Sequence, residues 1–261
     1  YRVINLLGNP WTDGFTCYHH ENIGGHHAAK IQRYQDMIEN QLGTQLQIIN
    51  KAILQGPSGL TMNPSVSRTM TAYNMLNTKY YVVQKNAQGV VKNPSACGNA
   101  WFVKNIKPVS SHDAEMAAIS DIDPLETAII HKEFEGELYN YKIAKPADAK
   151  IDLVSFDPNH LVYESNNNSD GLGVFSEVIY TNGWKALIDN DEVDIYRANY
   201  ILRALKIPAG KHKIEMVFQP SSYSMGENIS LAGSVIFLLF AGGMFFFLYK
   251  KKPENEVKSE A

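Results

Sequence analysis

The stretch Ile229–Tyr249 constrains this chain more than any other part of the sequence. It holds 21 residues without a charge, ISLAGSVIFLLFAGGMFFFLY, and three lysines follow it directly at positions 250–252. An α-helix of this length spans roughly 30 Å, which matches the hydrocarbon core of a bilayer. A buried core helix is the alternative, but a core helix this long usually carries a polar face. The stretch therefore predicts one transmembrane helix over residues 229–249.

The lysines that follow this stretch predict its orientation. Basic residues concentrate on the cytoplasmic side of membrane helices, so residues 250–261 are expected in the cytoplasm and residues 1–228 outside it. A region of that size outside the cytoplasm must be exported, yet the chain begins at Tyr1 without a recognisable signal peptide. Either a signal has been removed, or the chain is the C-terminal piece of a longer membrane protein. The second interpretation explains more.

The charge balance argues against nucleic acid as a partner. The chain has 24 basic and 27 acidic residues, of which the tail after the apolar stretch holds four and three. The region outside the cytoplasm is therefore mildly acidic, whereas nucleic-acid binding needs a basic stripe or domain.

Two patterns divide residues 1–228 and predict an α+β fold. Helix and strand patterns alternate up to about residue 145, beginning with an amphipathic helix that starts at Gly25, has Leu42 as its last apolar repeat and would be capped by Gly43. From Lys150 onward, short strand candidates separated by turn residues indicate an antiparallel β-sandwich. The predicted domains are an α/β or α+β domain (1–147), a β-sandwich (148–222), the membrane helix (229–249) and a cytoplasmic tail (250–261). Two of the single strands predicted are Ala100–Lys107 and Val193–Arg197.

A histidine-rich loop precedes the first predicted helix and holds the densest set of potential metal ligands. These are Cys17, His19, His20, Glu21, His26 and His27. Neighbouring side chains of an extended segment point to opposite faces, and neither HExxH nor CxxC spacing occurs, so no metal site is predicted. A polar loop leading into a helix whose free N–H groups could hold an anion is the preferred interpretation. Gly24-Gly25 would let a ligand approach the backbone closely, although a plain tight turn is the commoner use of such a pair.

The two cysteines, Cys17 and Cys97, both lie in the region assigned outside the cytoplasm. An oxidising compartment permits a disulfide between them. Two free, partly buried thiols are the more common arrangement, and the sequence leaves both possibilities open.

No complete active site can be recognised. Carboxylates cluster in two places and could act in pairs as in glycosidases, but the second cluster alternates along an apparent strand, like a solvated face. The clusters are Asp121 with Asp123, and Glu133 with Glu135 and Glu137. Neither GxSxG nor SxxK occurs, and residues 56–59 lack the Gly-Lys-Ser/Thr of a phosphate-binding loop. The sequence therefore predicts no catalytic residue, no metal and no cofactor.

Aromatic residues accompanied by arginine and asparagine in the C-terminal half have the composition that sugar binding uses. They are Trp184, Tyr196 and Tyr200, with Arg197, Asn199 and Arg203. A tryptophan that follows a turn is, however, more often a core residue of a sandwich.

Six stretches, spread over nearly the whole chain, resemble the YfhO family of bacterial multi-spanning membrane proteins. They are Tyr18–Lys30 with its continuation Arg33–Asp36, then Met75–Tyr80, Gly98–Val103, Gly183–Ala186, Tyr196–Tyr200 and Pro208–His212. They occur in the order expected for that family. The chain thus resembles the C-terminal part of a YfhO-family protein.

The resemblance implies a GT-C-like glycosyltransferase architecture. In such proteins a bundle of transmembrane helices precedes an extracytoplasmic soluble region and a last membrane helix, and sugars move from polyprenyl-phosphate carriers to cell-envelope polymers. The catalytic carboxylate of these enzymes lies in an early loop, outside this sequence. The implied location is the bacterial cytoplasmic membrane. The implied partners are the lipid bilayer, a lipid-linked sugar or envelope glycan, and the upstream helices of the same protein.

The expected function is to position a donor or acceptor for sugar transfer to a cell-envelope glycopolymer. The residues expected to face the ligand are Tyr18, His19, His20, His26 and Lys30. A non-enzymatic, membrane-anchored module that binds a glycan or an envelope partner is the alternative, and a purely structural ectodomain is a third. Whether the chain takes part in an enzyme stays open, because it lacks a recognisable catalytic site.

Overall fold

A computed structural model describes residues 1–26, 29–54, 68–146 and 148–250. His27, Ala28, residues 56–59, the boundary residue at 147 and the tail after Lys250 therefore lie outside the described residues. The helices are α1 (Thr16–His19), α2 (Gln32–Met37), α3 (Gly43–Ile53), α4 (Thr71–Met75), α5 (His112–Ala118) and α6 (Ser221–Lys250). Short 3-10 turns occupy Pro10–Thr12, Ala87–Gly89, Ile119–Asp121 and Lys132–Phe134, and π-helical turns occupy Ile38–Leu42 and Glu135–Tyr139.

The strands form four sheets within the described ranges. They are β1 (Arg2–Asn5), β2 (Glu21–Asn22), β3 (Thr78–Val82), β4 (Val90–Lys92), β5 (Ala100–Val103), β6 (Asn105–Val109), β7 (Thr127–His131), β8 (Lys150–Asp157), β9 (His160–Asn167), β10 (Gly171–Val178), β11 (Trp184–Ile188), β12 (Asp191–Val193), β13 (Tyr196–Ala198), β14 (Leu202–Ile207) and β15 (Gly210–Phe218). The strand orders are β2-β1-β3-β4, β13-β14-β10-β5, β12-β11-β15-β9-β8 and β6-β7. The second and third sheets are antiparallel throughout, and helices accompany the sheets, so the predicted α+β class is confirmed.

The sheet β13-β14-β10-β5 is the central layer of the soluble region. Successive side chains of a strand point to opposite faces, and both faces of β5 are buried. Trp101 and Val103 join the core beneath the helices, whereas Ala100 and Phe102 join the core against the five-stranded sheet. The sheet therefore separates and supports two hydrophobic cores.

The division of the soluble region at residues 147 and 148 stays a prediction. Strand β5 precedes this point in the sequence, and β10 follows it, yet the two strands pair along their whole shared length, from Ala100 opposite Phe175 to Val103 opposite Leu172. The N-terminal part thus contributes an edge strand to a sheet whose other three strands come from the C-terminal part.

The predicted end of the first long helix at Gly43 is wrong. The helix begins at Gln32, widens into the π-helical turn 38–42, and continues through Gly43 to Ile53, with the Gly43 N–H donating to the Ile38 carbonyl. Glycine costs a helix about 1 kcal/mol relative to alanine. Burial of Gln45, Ile49 and Ala52 on one face favours continuation over that cost.

Two strands predicted as single are each divided between two sheets. The segment Ala100–Lys107 breaks at Lys104, where the N–H groups of Lys104 and Asn105 both donate to the Glu126 carbonyl, and the chain moves from β5 to β6. The segment Val193–Arg197 is likewise divided between β12 and β13. Apolar residues flank both breaks on each side, so the tertiary partners reveal the change of sheet.

The prediction that Glu133, Glu135 and Glu137 lie on a strand is also wrong. These residues lie in the 3-10 turn 132–134 and the π-helical turn 135–139 that follow β7. Alternation of charged residues over so short a segment does not distinguish a strand from tight helical turns.

Helix α6 contains the apolar stretch and begins before it, at Ser221. Its best 18-residue window has a mean hydropathy of 2.3, and none of that window is buried. Among the described residues it is the one helix long and apolar enough to cross a membrane. Apolar residues exposed all around a helix of this length are typical of contact with lipid.

Replacing Gln45 with alanine should destabilise the protein by about 1 to 3 kcal/mol, because a buried donor would lose its acceptor. Gln45 is 3% exposed, and its Oε1 accepts from the Ala72 N–H at 3.1 Å. Urea unfolding of the detergent-solubilised chain, followed by circular dichroism, measures the change. Gln47→Ala on the exposed face of the same helix is the matched control, expected within about 0.5 kcal/mol of wild type. Equal effects of the two substitutions would contradict the assigned role of Gln45.

Candidate functional site

A polar cleft of about 610 Å³ opens where β3 and β4 meet the loop that leads into β5. The lining residues that matter for binding are the polar Asn77, Lys79, Lys92, Asn93 and Asn99, together with Gly98. Four of them, at positions 77, 79, 98 and 99, come from the stretches Met75–Tyr80 and Gly98–Val103, which carry the family resemblance. The cleft therefore joins sequence features that lie far apart in the chain.

Two lysines give the cleft its charge. Lys92 lies opposite Tyr80 in the β3–β4 pair, one position along from Lys79, and both lysines line the cleft. The Lys79 ammonium is 5.1 Å from the centre of the Tyr1 ring. Other lysines of the described chain form ion pairs with carboxylates, and neither Lys79 nor Lys92 is among them. No carboxylate lines the cleft. Two cations without a local counter-charge attract an anion.

The Asn77–Asn99 pair fixes one wall. Asn77 has a φ of 54°, in the left-handed region that asparagine tolerates better than most residues, and its Nδ2 donates to Asn99 Oδ1 at 2.8 Å. The Asn99 carbonyl in turn accepts from the N–H and Oγ of Ser176 in β10. Gly98, with a φ of 89°, makes the turn that this contact needs.

Asn93 fixes the opposite wall. Its side chain is buried, and Nδ2 donates to the Thr78 carbonyl at 2.9 Å and to Asn74 Oδ1 at 2.8 Å. Its Oδ1 accepts from the Ser95 N–H at 3.0 Å. Both walls are therefore set before a ligand arrives, which reduces the entropy lost on binding.

The chemistry of the lining suits binding. Lysine ammonium groups donate to phosphate or carboxylate oxygens, and amide groups both donate to and accept from sugar hydroxyls. Carboxylates, imidazoles and thiols are missing from the described residues that line the cleft. The cleft can therefore hold an anionic, hydroxyl-rich ligand.

Tyr18 and His19, two of the predicted ligand residues, lie together on the surface at α1. Tyr18 is 88% exposed, and the His19 ring packs edge-on against the rings of Tyr18 (5.7 Å) and Phe15 (5.4 Å). Phe15 also lines a second cavity, of about 580 Å³, with Asn9 and Lys85. These aromatic rings form an exposed cluster that is separate from the residues lining the cleft.

The other predicted ligand residues, His20, His26 and Lys30, are also accessible. His20 ends α1 and donates its N–H to the Thr16 carbonyl, His26 is exposed, and Lys30 is partly exposed ahead of α2. None of the five predicted residues lines the cleft. Among the described residues, which exclude His27, no group of three or more His, Cys, Asp or Glu side chains is arranged to hold a metal ion.

Both cysteines are free thiols. Cys17 is exposed on α1, and Cys97 is buried next to the cleft loop, where burial raises the pKa of its thiol. The structure thus has the two unpaired thiols rather than the disulfide.

The acidic clusters and the C-terminal aromatic set have structural partners. Asp123 Oδ1 accepts from the Leu125 N–H at 3.0 Å, and Glu133 Oε1 lies 2.5 Å from the Arg197 guanidinium. The Arg203 guanidinium lies 4.0 Å from the Trp184 ring centre, and Arg203 is 3% exposed. The tyrosines at 196 and 200 are buried as well. This aromatic set serves packing rather than an open sugar-binding face.

Sequence patterns provide no reason to select two of the polar cleft residues, Lys92 and Asn93. Both follow a strand–turn–strand pattern, in which the turn at Asn86–Gly89 returns the chain alongside β3. In the register of that hairpin Lys92 lies opposite Tyr80 and not Lys79, so a search for facing like charges would not have brought the two lysines together.

A family model described as the bacterial membrane protein YfhO matches residues 131–230, from the end of β7 through β15 and into α6. Comparison with curated proteins and with solved structures gave no match. The matched region includes the stretches Gly183–Ala186, Tyr196–Tyr200 and Pro208–His212. Residues 131–230 are therefore a region of the bacterial membrane protein YfhO family, and the chain is a membrane protein.

Proposed function

We propose that residues 1–228 bind an anionic, sugar-bearing ligand outside the cytoplasm and hold it for transfer to a cell-envelope glycopolymer. The observation that carries this proposal is the cleft, which presents Lys79 and Lys92 without a lining carboxylate. The family match and the apolar helix α6 support a membrane setting. A polyprenyl-phosphate sugar unites the two requirements, because it is anionic and confined to the bilayer.

The cleft acts by positioning. Its lysines hold the phosphate oxygens as point charges, and the Asn77 and Asn99 amides orient hydroxyl groups of the sugar. Correct placement of two reactants can supply several kcal/mol toward a transfer reaction without any proton transfer by the binding residues. In this proposal the catalytic carboxylate is supplied by an early extracytoplasmic loop of the parent protein, as the family resemblance implies.

The exposed cluster at α1 is the proposed second contact with the glycan. Tyr18 and His19 offer ring faces on which the apolar face of a sugar ring can pack, and His20, His26 and Lys30 add donors nearby. The extended acceptor polymer contacts this cluster while the charged donor occupies the cleft.

The proposed function also assigns a role to each part of the chain. Residues 1–147 form the ligand-binding domain, and residues 148–222 form a β-sandwich built from the two antiparallel sheets, with β5 donated by the first domain. The tail from residue 250 lies in the cytoplasm and anchors α6 through its lysines.

A membrane-anchored binding module without a catalytic partner is the second candidate. The observation that favours it is the lining of the cleft, which lacks an acid–base pair among the described residues. The two candidates share the ligand class and differ in whether bound sugar is transferred.

Replacing Lys79 or Lys92 with alanine should weaken binding of an anionic ligand. Each ammonium–phosphate contact contributes about 1.5 to 3 kcal/mol, so Kd should rise about 10- to 100-fold. The measurement is calorimetric titration of the detergent-solubilised chain with a short-chain polyprenyl-phosphate sugar at two salt concentrations. Lys51→Ala on the exposed face of α3 is the control, with unchanged Kd expected. Unchanged affinity in both cleft variants would exclude the cleft as the binding site.

The native thiols test the proposed orientation. A membrane-impermeant maleimide should label Cys17 in intact cells, because Cys17 is exposed, and should label Cys97 only after denaturation, because it is buried with a raised pKa. Cys17→Ser should remove labelling of intact cells. With Cys17→Ser present, Ser259→Cys should react only after the membrane is permeabilised, and its labelling in intact cells would reverse the orientation.

A further inference from the structure

Two histidines lie within a group of charged and aromatic side chains that joins the N-terminal and C-terminal parts of the soluble region. We call this group the histidine junction. Its members are Arg33 and Asp36 from α2, His112 and Glu115 from α5, His131 from β7, Glu133 from the following turn, and Arg197 and Tyr200 at the corner between β13 and β14. The resemblance stretches Arg33–Asp36 and Tyr196–Tyr200 meet here.

The buried carboxylate of Glu115 holds the corner. Its Oε1 accepts from the Tyr200 N–H at 2.9 Å, and its Oε2 lies 3.4 Å from the Arg197 guanidinium. Asn199 and Tyr200 have φ values of 49° and 71°, in the left-handed region that non-glycine residues adopt only when their surroundings enforce it. Asn199 exchanges two hydrogen bonds with the backbone of Ile129, at 2.8 and 3.0 Å. The corner therefore depends on contacts from α5 and β7.

The two imidazoles, His112 and His131, stack with ring centres 4.4 Å apart. His112 Nε2 lies 3.3 Å from the Arg33 guanidinium, and its Nδ1 lies 3.5 Å from that of Arg197. A guanidinium only donates, and a neutral imidazole accepts through one nitrogen, so His112 serves one arginine at a time. A protonated His112 accepts from neither and places a like charge beside both.

The surroundings of His131 also favour a neutral ring. It is 8% exposed, and its Nδ1 accepts from the Glu133 N–H at 3.3 Å, so this nitrogen carries no proton in the observed arrangement. Burial, with the neighbouring His112, lowers the pKa of His131, although Glu133 and Glu115 act in the opposite direction. Such a group favours the folded state above about pH 6.5, its unfolded pKa, and this contribution is lost as the pH falls toward its lower folded pKa.

The net charge of the junction depends on how many protons its imidazoles hold. With neutral rings, the carboxylates of Asp36, Glu115 and Glu133 face the guanidinium groups of Arg33 and Arg197. One proton balances the group, and a second places two charged rings against each other. A proton on His112 also draws Glu115 Oε2, which is 3.6 Å from His112 Nδ1, away from the arginine at 197.

We propose that the histidine junction is a proton-sensitive lock on the corner 196–200, closed at neutral pH and released in acid. Release separates Glu115 from Arg197 and loosens the hydrogen bond that Tyr200 Oη donates to Asp36 Oδ2 at 2.8 Å. The lock goes beyond the proposed binding function, and it does not depend on which ligand the cleft takes.

Local exposure of the corner is the quantity to measure, because another histidine titrates in the opposite direction. Asp189 Oδ2 lies 2.6 Å from His212 Nδ1 and raises the pKa of His212. That pair contributes stability below about pH 6.5 and loses it as the pH rises through the raised folded pKa. Global unfolding would therefore mix two opposing effects.

Hydrogen–deuterium exchange of the full chain in lipid nanodiscs, read by mass spectrometry on peptides that cover residues 196–202, tests the lock. After correction for intrinsic exchange rates, wild-type protection should fall about tenfold or more between pH 7.5 and pH 5.5. His131→Gln and His112→Gln, which keep hydrogen-bonding capacity but cannot gain a charge in this range, should reduce that fall. His160→Gln, which alters the His160–Glu215 pair on the five-stranded sheet, is the control and should behave as wild type.

A pH-independent corner in the wild-type protein would overturn the lock, as would an undiminished fall in both glutamine variants. Should either variant fold poorly, NMR titration of the histidine ring signals in the wild-type protein decides instead. The midpoint of a junction histidine should then coincide with the midpoint of corner exposure, and clearly separate midpoints would reject the proposal.

Discussion

Burial of the central sheet on both faces is the constraint on which the rest of the soluble region depends. Trp101 and Val103 of β5 face one core while Phe102 faces the other, and Val174 and Phe175 of β10 are divided in the same way. A sheet covered on both sides cannot lose either covering layer without exposing apolar surface. The helices and the five-stranded sheet are therefore held to a common support, although they come from different parts of the sequence.

Several strands outside the central sheet are covered on one face only, and this makes their sequence patterns easier to interpret. Strands β8, β9, β11 and β15 each have one covered face and are bounded by turns, which is the pattern of short strand candidates that the sequence shows from Lys150 onward. The break at Lys104 and the continuation through Gly43 could not be predicted, because each is decided by a distant partner. At Lys104 the backbone N–H groups bind the distant Glu126 carbonyl. Beyond Gly43 the helix is stabilised by the hydrogen bond that the Ala72 N–H donates to Gln45.

The candidate site was harder to predict than the fold for a related reason. Sequence reasoning selected Tyr18, His19 and their neighbours because they are dense along the chain, whereas the cleft gathers residues that are sparse along it. The resemblance stretches did contain Asn77, Lys79 and Asn99, but the approach of Lys92 to them depends on the β3–β4 hairpin, in which Lys92 lies opposite Tyr80. A high density of polar residues along the sequence indicates a loop with many functional groups. The cleft, in contrast, is formed when paired strands bring together residues that are far apart in the sequence.

The cleft and the histidine junction lie at opposite edges of the central sheet. Asn99 in the cleft wall directly precedes β5 at one edge, and Arg197 belongs to β13 at the other, with β10 and β14 between them. These four strands form one continuous hydrogen-bonded layer with a packed core on each side. Close-packed interiors transmit displacement, so we expect a ligand bound in the proposed cleft and a proton bound at the proposed junction to act on the same sheet.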